Sequence, residues 1–92
     1  MPLLEARQNL RLARMRVLED KYKDARAPLE AAVQDLADYE KLSSGPHARD
    51  AAYLRDKIEA FAHVVAHRPA DALMQIDAWL DPIEKWYDEG TR

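Results

Sequence analysis

Three side chains that can bind a metal ion follow one another at helical spacing in the second half of the chain. Glu59, His63 and His67 are each four residues apart, which places them on one face of a helix at a spacing that zinc or nickel sites use. That face points away from the apolar side of the same helix, and the HExxH arrangement of metalloproteases is absent. We therefore expect a solvated face rather than a metal site, and we expect no cofactor.

A row of arginines gives the N-terminal segment a basic side. Arg7, Arg11 and Arg14 share one helix face, and such a row can follow the phosphates of a nucleic acid. The chain as a whole carries a net charge of −3, and residues 69–92 hold six acidic and two basic groups. We expect the row to pair with these C-terminal acids, within or between chains. A nucleic-acid-associated regulator that uses the arginine row is the alternative function.

Carboxylates on the last predicted helix also recur at helical spacing. They share one face with separations of four, three and four residues, and they are Asp77, Asp81, Glu84 and Asp88. Like charges at this spacing repel unless a basic group faces them. The pattern predicts either a solvated side or contact with a basic partner such as the arginine row. A catalytic carboxylate pair needs a pocket and unequal environments, and the sequence indicates neither.

Hydroxyl and imidazole groups meet only near the middle of the chain. Ser43, Ser44 and His47 lie close together there, but a nucleophile needs an oriented base and an oxyanion site. Roles in a turn and in helix capping explain these residues more simply. The chain also contains no cysteine, which excludes thiolate chemistry. We expect a protein that is not an enzyme.

The element that has to position the arginine row is a long first helix over residues 3–43. Apolar residues alternate three and four apart along it, first in one stripe and then, from Met15 onward, in a second stripe rotated by about 100°. The first stripe consists of Leu3, Ala6, Leu10, Ala13 and Val17; the second consists of Met15, Leu18, Tyr22, Ala25, Leu29, Ala32, Leu36 and Tyr39. Pro28 predicts a kink within this helix, because no glycine nearby permits a reversal.

Two further helices are predicted, over 46–66 and 69–88. Gly45 and Pro46 mark the first break, and Pro69 suits the start of the last helix. Within that helix, Asp81 followed by Pro82 predicts a local restart. The apolar stripes are Ala51, Leu54, Ile58, Phe61 and Val65, then Leu73, Ile76, Leu80, Ile83 and Tyr87.

Two architectures fit this all-α pattern of one helical domain over residues 1–92. In a long antiparallel hairpin, Pro69 only bends the second arm; in a compact three-helix bundle, the chain reverses near His67. Charge favours the hairpin, because it lays the acidic 69–92 segment beside residues 1–27, which hold seven basic and four acidic groups. A first arm of forty residues would be roughly 60 Å long.

The last helix has a wider apolar face than one neighbouring helix can cover. Trp79 and Trp86 extend the stripe that contains Ile83 and Tyr87, and large aromatic residues dominate the binding energy of protein interfaces. We predict that these four residues form an interface and that a homodimer completes a helical bundle. The competing interpretation is that they fill the core of the monomer.

The overall pattern favours a small cytoplasmic protein without enzymatic activity. No stretch approaches the roughly 20 apolar residues of a membrane span, and the N-terminus lacks the apolar run of a secretory signal. The function that we expect is a protein–protein interaction module, or a regulator or inhibitor, that acts through its helix faces. Its expected partners are a second copy of the chain and another, unidentified protein.

Overall fold

Helices make up all of the regular structure in the computed structural model, which describes residues 2–42, 47–67 and 69–90. In chain order the elements are α1 Pro2–Leu18, a short 3-10 helix Lys23–Ala25, α2 Arg26–Leu42, α3 Ala48–Ala62, a second 3-10 helix Val65–His67 and α4 Pro69–Gly90. The all-α class is confirmed, but these ranges contain four α-helices rather than the predicted three. The predicted turn around Gly45 and Pro46 lies outside the described residues.

The first predicted helix, 3–43, is two helices separated by a tight turn. Asp20 adopts a left-handed backbone conformation with φ 61°. The N–H of Lys21 donates to the carbonyl of Arg16 at 2.8 Å, and the N–H of Asp20 donates to the carbonyl of Val17 at 3.0 Å. This pair of bonds is the Schellman pattern, which closes a helix when the residue after its end turns left-handed. Aspartate tolerates that conformation better than most residues, so the reversal needs no glycine.

Pro28 consequently has a different role from the one predicted. It is the third residue of α2, which begins at Arg26, and it is buried. In the first turn of a helix the missing N–H of proline has no intrahelical partner to lose. The predicted kink at Pro28 is therefore wrong: the proline helps to begin a new helix.

The four helices pack in a compact arrangement rather than in a long hairpin. α1 packs against α2 and also against α4, and α2 packs against α3. Arg11 contacts Glu84 while Arg14 contacts Asp77, so α1 and α4 run antiparallel. The longest dimension is 36 Å, well short of a 60 Å helical arm. The acidic C-terminal segment does lie beside the basic N-terminal segment, as their charges predict, but it does so without the long hairpin.

Most members of the apolar stripes predicted from the sequence form the core, and four more, Tyr22, Tyr39, Leu73 and Tyr87, pack against it half-buried. The buried members of these stripes are Leu3, Ala6, Leu10, Ala13, Val17, Ala25, Leu29, Ala32, Leu36, Ala51, Leu54, Ile58, Phe61, Val65, Ile76, Leu80 and Ile83. Met15 and Leu18 are instead 57% and 55% exposed. These two residues lie on a side of α1 that is rotated away from its buried stripe. The second stripe is buried only from Ala25 onward.

The last two helices differ from their predicted bounds in smaller ways. α3 ends at Ala62 and a 3-10 turn follows, whereas the sequence predicted helix to residue 66. α4 continues through Pro82, so the predicted restart at Asp81 is wrong. Among the described residues, no helix has the length and apolar character needed to cross a membrane.

Candidate interaction surface

The four residues predicted to form an interface lie in the chain's own core or at its edge. Trp79 is 6% exposed and its ring meets Phe61 edge-on at 5.5 Å between centroids. Trp86 is 7% exposed, Ile83 is fully buried, and Tyr87 is half-buried. The apolar surface that the sequence assigned to a second copy is thus covered largely by other helices of the same chain.

Aromatic and imidazole rings explain how the wide face of α4 is covered. The indole of Trp86 stacks with Tyr39, at 6.4 Å between ring centroids, and with His47, at 5.2 Å. The Nε2 of His47 contacts Glu89 Oε2 at 2.7 Å, which fixes the imidazole against the indole. His47 therefore serves packing, and the serines with which the sequence grouped it, Ser43 and Ser44, lie outside the described residues.

The arginine row faces α4, as the charge pattern predicts. Arg11 Nη2 donates to Glu84 Oε1 at 2.8 Å, and Arg14 Nε donates to Asp77 Oδ1 at 2.7 Å. The Arg7 guanidinium lies 4.7 Å from the centre of the Tyr87 ring. Arg11 and Arg14 are thus paired with acids of α4, whereas Arg7 packs on a ring and its Nε is buried without a hydrogen-bond partner among the residues described. The ion pairs are exposed, so each contributes only about 0–1 kcal/mol to stability.

An open groove with a volume of about 530 Å³ runs between α1 and α4 beside these ion pairs. Its lining consists of Arg11, Arg14, Met15, Leu18, Asp77, Leu80, Asp81 and Glu84. The lining combines apolar side chains of both helices with two ion pairs, Arg11–Glu84 and Arg14–Asp77, that join α1 to α4. Met15 and Leu18 were predicted to lie in a buried stripe, so the sequence did not predict that they line this groove. The rotation of the second stripe by about 100° from the buried stripe of α1 was the feature of the sequence that indicated their exposure.

The candidate metal ligands do not form a site. Glu59 lies on α3, but the helix ends at Ala62, and His67 belongs to the 3-10 turn that follows. His63 Nδ1 instead accepts a hydrogen bond from Arg26 Nη2 at 3.1 Å. Among the residues that the structure describes, no three potential ligands are grouped to hold a metal ion. The four-residue spacing fails because the helix needed to align these ligands stops early.

A buried carboxylate between α1 and α2 is a feature that the sequence analysis did not single out. Asp35 is 9% exposed, and Asn9 Nδ2 donates to its Oδ2 at 2.6 Å. Burial raises the pKa of the Asp35 carboxyl, the Asn9 hydrogen bond opposes this, and nearby Glu5 and Asp38 raise the pKa further. Its position three residues after the core residue Ala32 and seven after the buried Pro28 was the signal in the sequence.

The raised pKa of Asp35 predicts how stability depends on pH. A carboxyl whose pKa is higher in the folded than in the unfolded state favours folding below the unfolded pKa, and this contribution is lost as pH rises through the folded pKa. We expect the neutral variant Asp35→Asn to be more stable than the wild type at pH 7, with the advantage shrinking as pH falls toward 4. Urea unfolding of both proteins across this range measures the difference. Glu59→Gln, at an exposed position, is the control, and an advantage that grows toward acid pH would contradict the prediction.

Comparison with known proteins adds no relative from which a role can be transferred, because no family model, curated protein or solved structure matches the chain.

Proposed function

We propose that this chain is a small non-enzymatic protein–protein interaction module that binds its partner in the groove between α1 and α4. The observation that carries the proposal is the pair Met15 and Leu18, each more than half exposed on the groove. Clustered apolar side chains rimmed by charged groups are typical of protein contact sites. A regulator or inhibitor that occludes another protein would use such a surface.

The engaged arginines favour a protein over a nucleic acid as the partner. A phosphate that bound Arg11 or Arg14 would have to displace Glu84 or Asp77, which already contact them at 2.8 and 2.7 Å. The exposed side chains of Met15 and Leu18 gain nothing from contact with a phosphate backbone. A protein partner buries them and leaves both ion pairs in place.

The double substitution Met15→Glu with Leu18→Glu tests the proposal. Both positions are exposed, so each change is expected to alter stability by no more than about 0.5 kcal/mol. We expect affinity capture from a nuclease-treated extract of the source cells to yield a protein that binds the wild type and is lost with the variant. Sedimentation velocity on both proteins shows whether that partner is a second copy of the chain.

Tyr53→Glu is the matched control, because Tyr53 is exposed on α3 and does not line the groove. It should retain any partner that the wild type binds. A wild type that stays monomeric and captures the same proteins as the double variant would show that the groove is not an interaction surface.

A further inference from the structure

The uneven charge of the groove indicates what kind of partner it fits. Resting on the proposed function, we propose that the groove binds an amphipathic helix that carries basic residues beside its apolar face. Met15 and Leu18 are three residues apart on α1 and present their side chains in the groove together with Leu80. This geometry suits helix-in-groove recognition, in which apolar anchors at helical spacing enter a cleft between two helices.

The carboxylates of the groove outnumber its cations. Arg11 and Arg14 are neutralised by Glu84 and Asp77. Asp81 lies between these two acids along α4 and forms no ion pair or hydrogen bond with any residue in the described ranges. The lining therefore holds one carboxylate without an ion-pair partner in the described part of the chain, together with the exposed side chains of Met15 and Leu18. A lysine or arginine flanking the apolar anchors of a partner helix complements this arrangement.

A second copy of the chain fits this charge pattern less well. Each copy carries a net charge of −3, and a two-fold contact through the groove joins two linings that each have an excess carboxylate and no unpaired cation. Like charges placed together across an interface oppose association. A basic helix from another protein meets no such repulsion.

Selection from a displayed library of helical peptides tests the charge preference without a known partner. Each peptide carries leucines along one seam, and the flanking positions are drawn at random from Lys, Gln and Glu. The folded chain is the bait, and the Met15→Glu, Leu18→Glu variant removes peptides that bind elsewhere. We expect lysine to be enriched over glutamate, by up to roughly fivefold at a position that faces Asp81.

Two matched substitutions separate the role of Asp81 from general charge attraction. Asp81→Asn should remove most of the lysine preference, whereas Glu59→Gln removes one exposed carboxylate on α3 outside this groove and should leave the preference intact. Asp81→Lys should shift the enrichment toward glutamate.

The outcomes that overturn the proposal are distinct from failure of the interaction function itself. Groove-dependent peptides with no lysine enrichment would show that the groove binds helices but does not select a basic one. A wild-type dimer that the double variant dissociates, with no peptide selected, would make the second copy the occupant. No groove-dependent peptide and no dimer would refute both the basic helix and the interaction function.

Discussion

Replacing Trp86 with alanine is expected to lower the free energy of unfolding by about 3–5 kcal/mol. The indole is 7% exposed and stacks with both Tyr39 and His47, so its removal leaves a cavity and two rings without their partner. Domains of this size have a total stability of roughly 5–15 kcal/mol, so the loss is large. Urea unfolding followed by circular dichroism measures it.

The same variant discriminates between the two interpretations of the tryptophans. If Trp86 is a core residue of the single chain, the variant unfolds at lower urea without a preceding change in molecular mass. An interface residue would first change the mass, and the unfolding midpoint would depend on protein concentration. Sedimentation velocity below the transition makes the comparison. Met74→Ala, at an exposed position on the same helix, is the control and should change stability by no more than about 0.5 kcal/mol.

Helix faces could be predicted from the sequence because they depend on local periodicity. The stripes that begin at Leu3 and Ala51 are buried along their full predicted length, since an apolar row at helical spacing has to meet a neighbouring element. The charge difference between the chain ends likewise predicted the contact of Arg11 and Arg14 with α4. These features need only the positions of residues along the chain.

The turn after α1 could not be predicted in the same way. Nothing in the residue types distinguishes Asp20 from an ordinary helical aspartate, and its left-handed conformation is stabilised by backbone bonds that form only once the helix stops. Without this turn, Met15 and Leu18 belong to one continuous buried stripe of the predicted first helix. That error concealed the groove, because both residues are exposed only if the chain reverses after them.

The burial of the tryptophans could not be predicted because it depends on three-dimensional neighbours far apart in sequence. Trp79 meets Phe61 of α3, while Trp86 meets Tyr39 and His47. The width of an apolar face shows how much surface has to be covered, but not whether the same chain or another covers it. In the compact arrangement of four helices both indoles are buried, whereas in the predicted hairpin each arm has only one neighbouring helix.

Replacing Pro82 with alanine is expected to raise the free energy of unfolding by about 1–3 kcal/mol, because proline is the residue least compatible with a helix interior. Pro82 lies well inside α4, where it has no N–H to donate to the carbonyl of Ala78 and its ring crowds that carbonyl. Alanine restores the bond and relieves the crowding. The change is measured by urea unfolding of the two proteins.

Pro28→Ala is the matched control for this gain. Pro28 is in the first turn of α2, where its N–H has no intrahelical partner to lose and its fixed φ is already suitable. We expect no comparable stabilisation there, and a small loss because the ring is buried. A Pro82→Ala variant less stable than the wild type would contradict the prediction. It would mean that the proline between Trp79 and Trp86 is itself needed to direct the two indoles toward α3 and the end of α2.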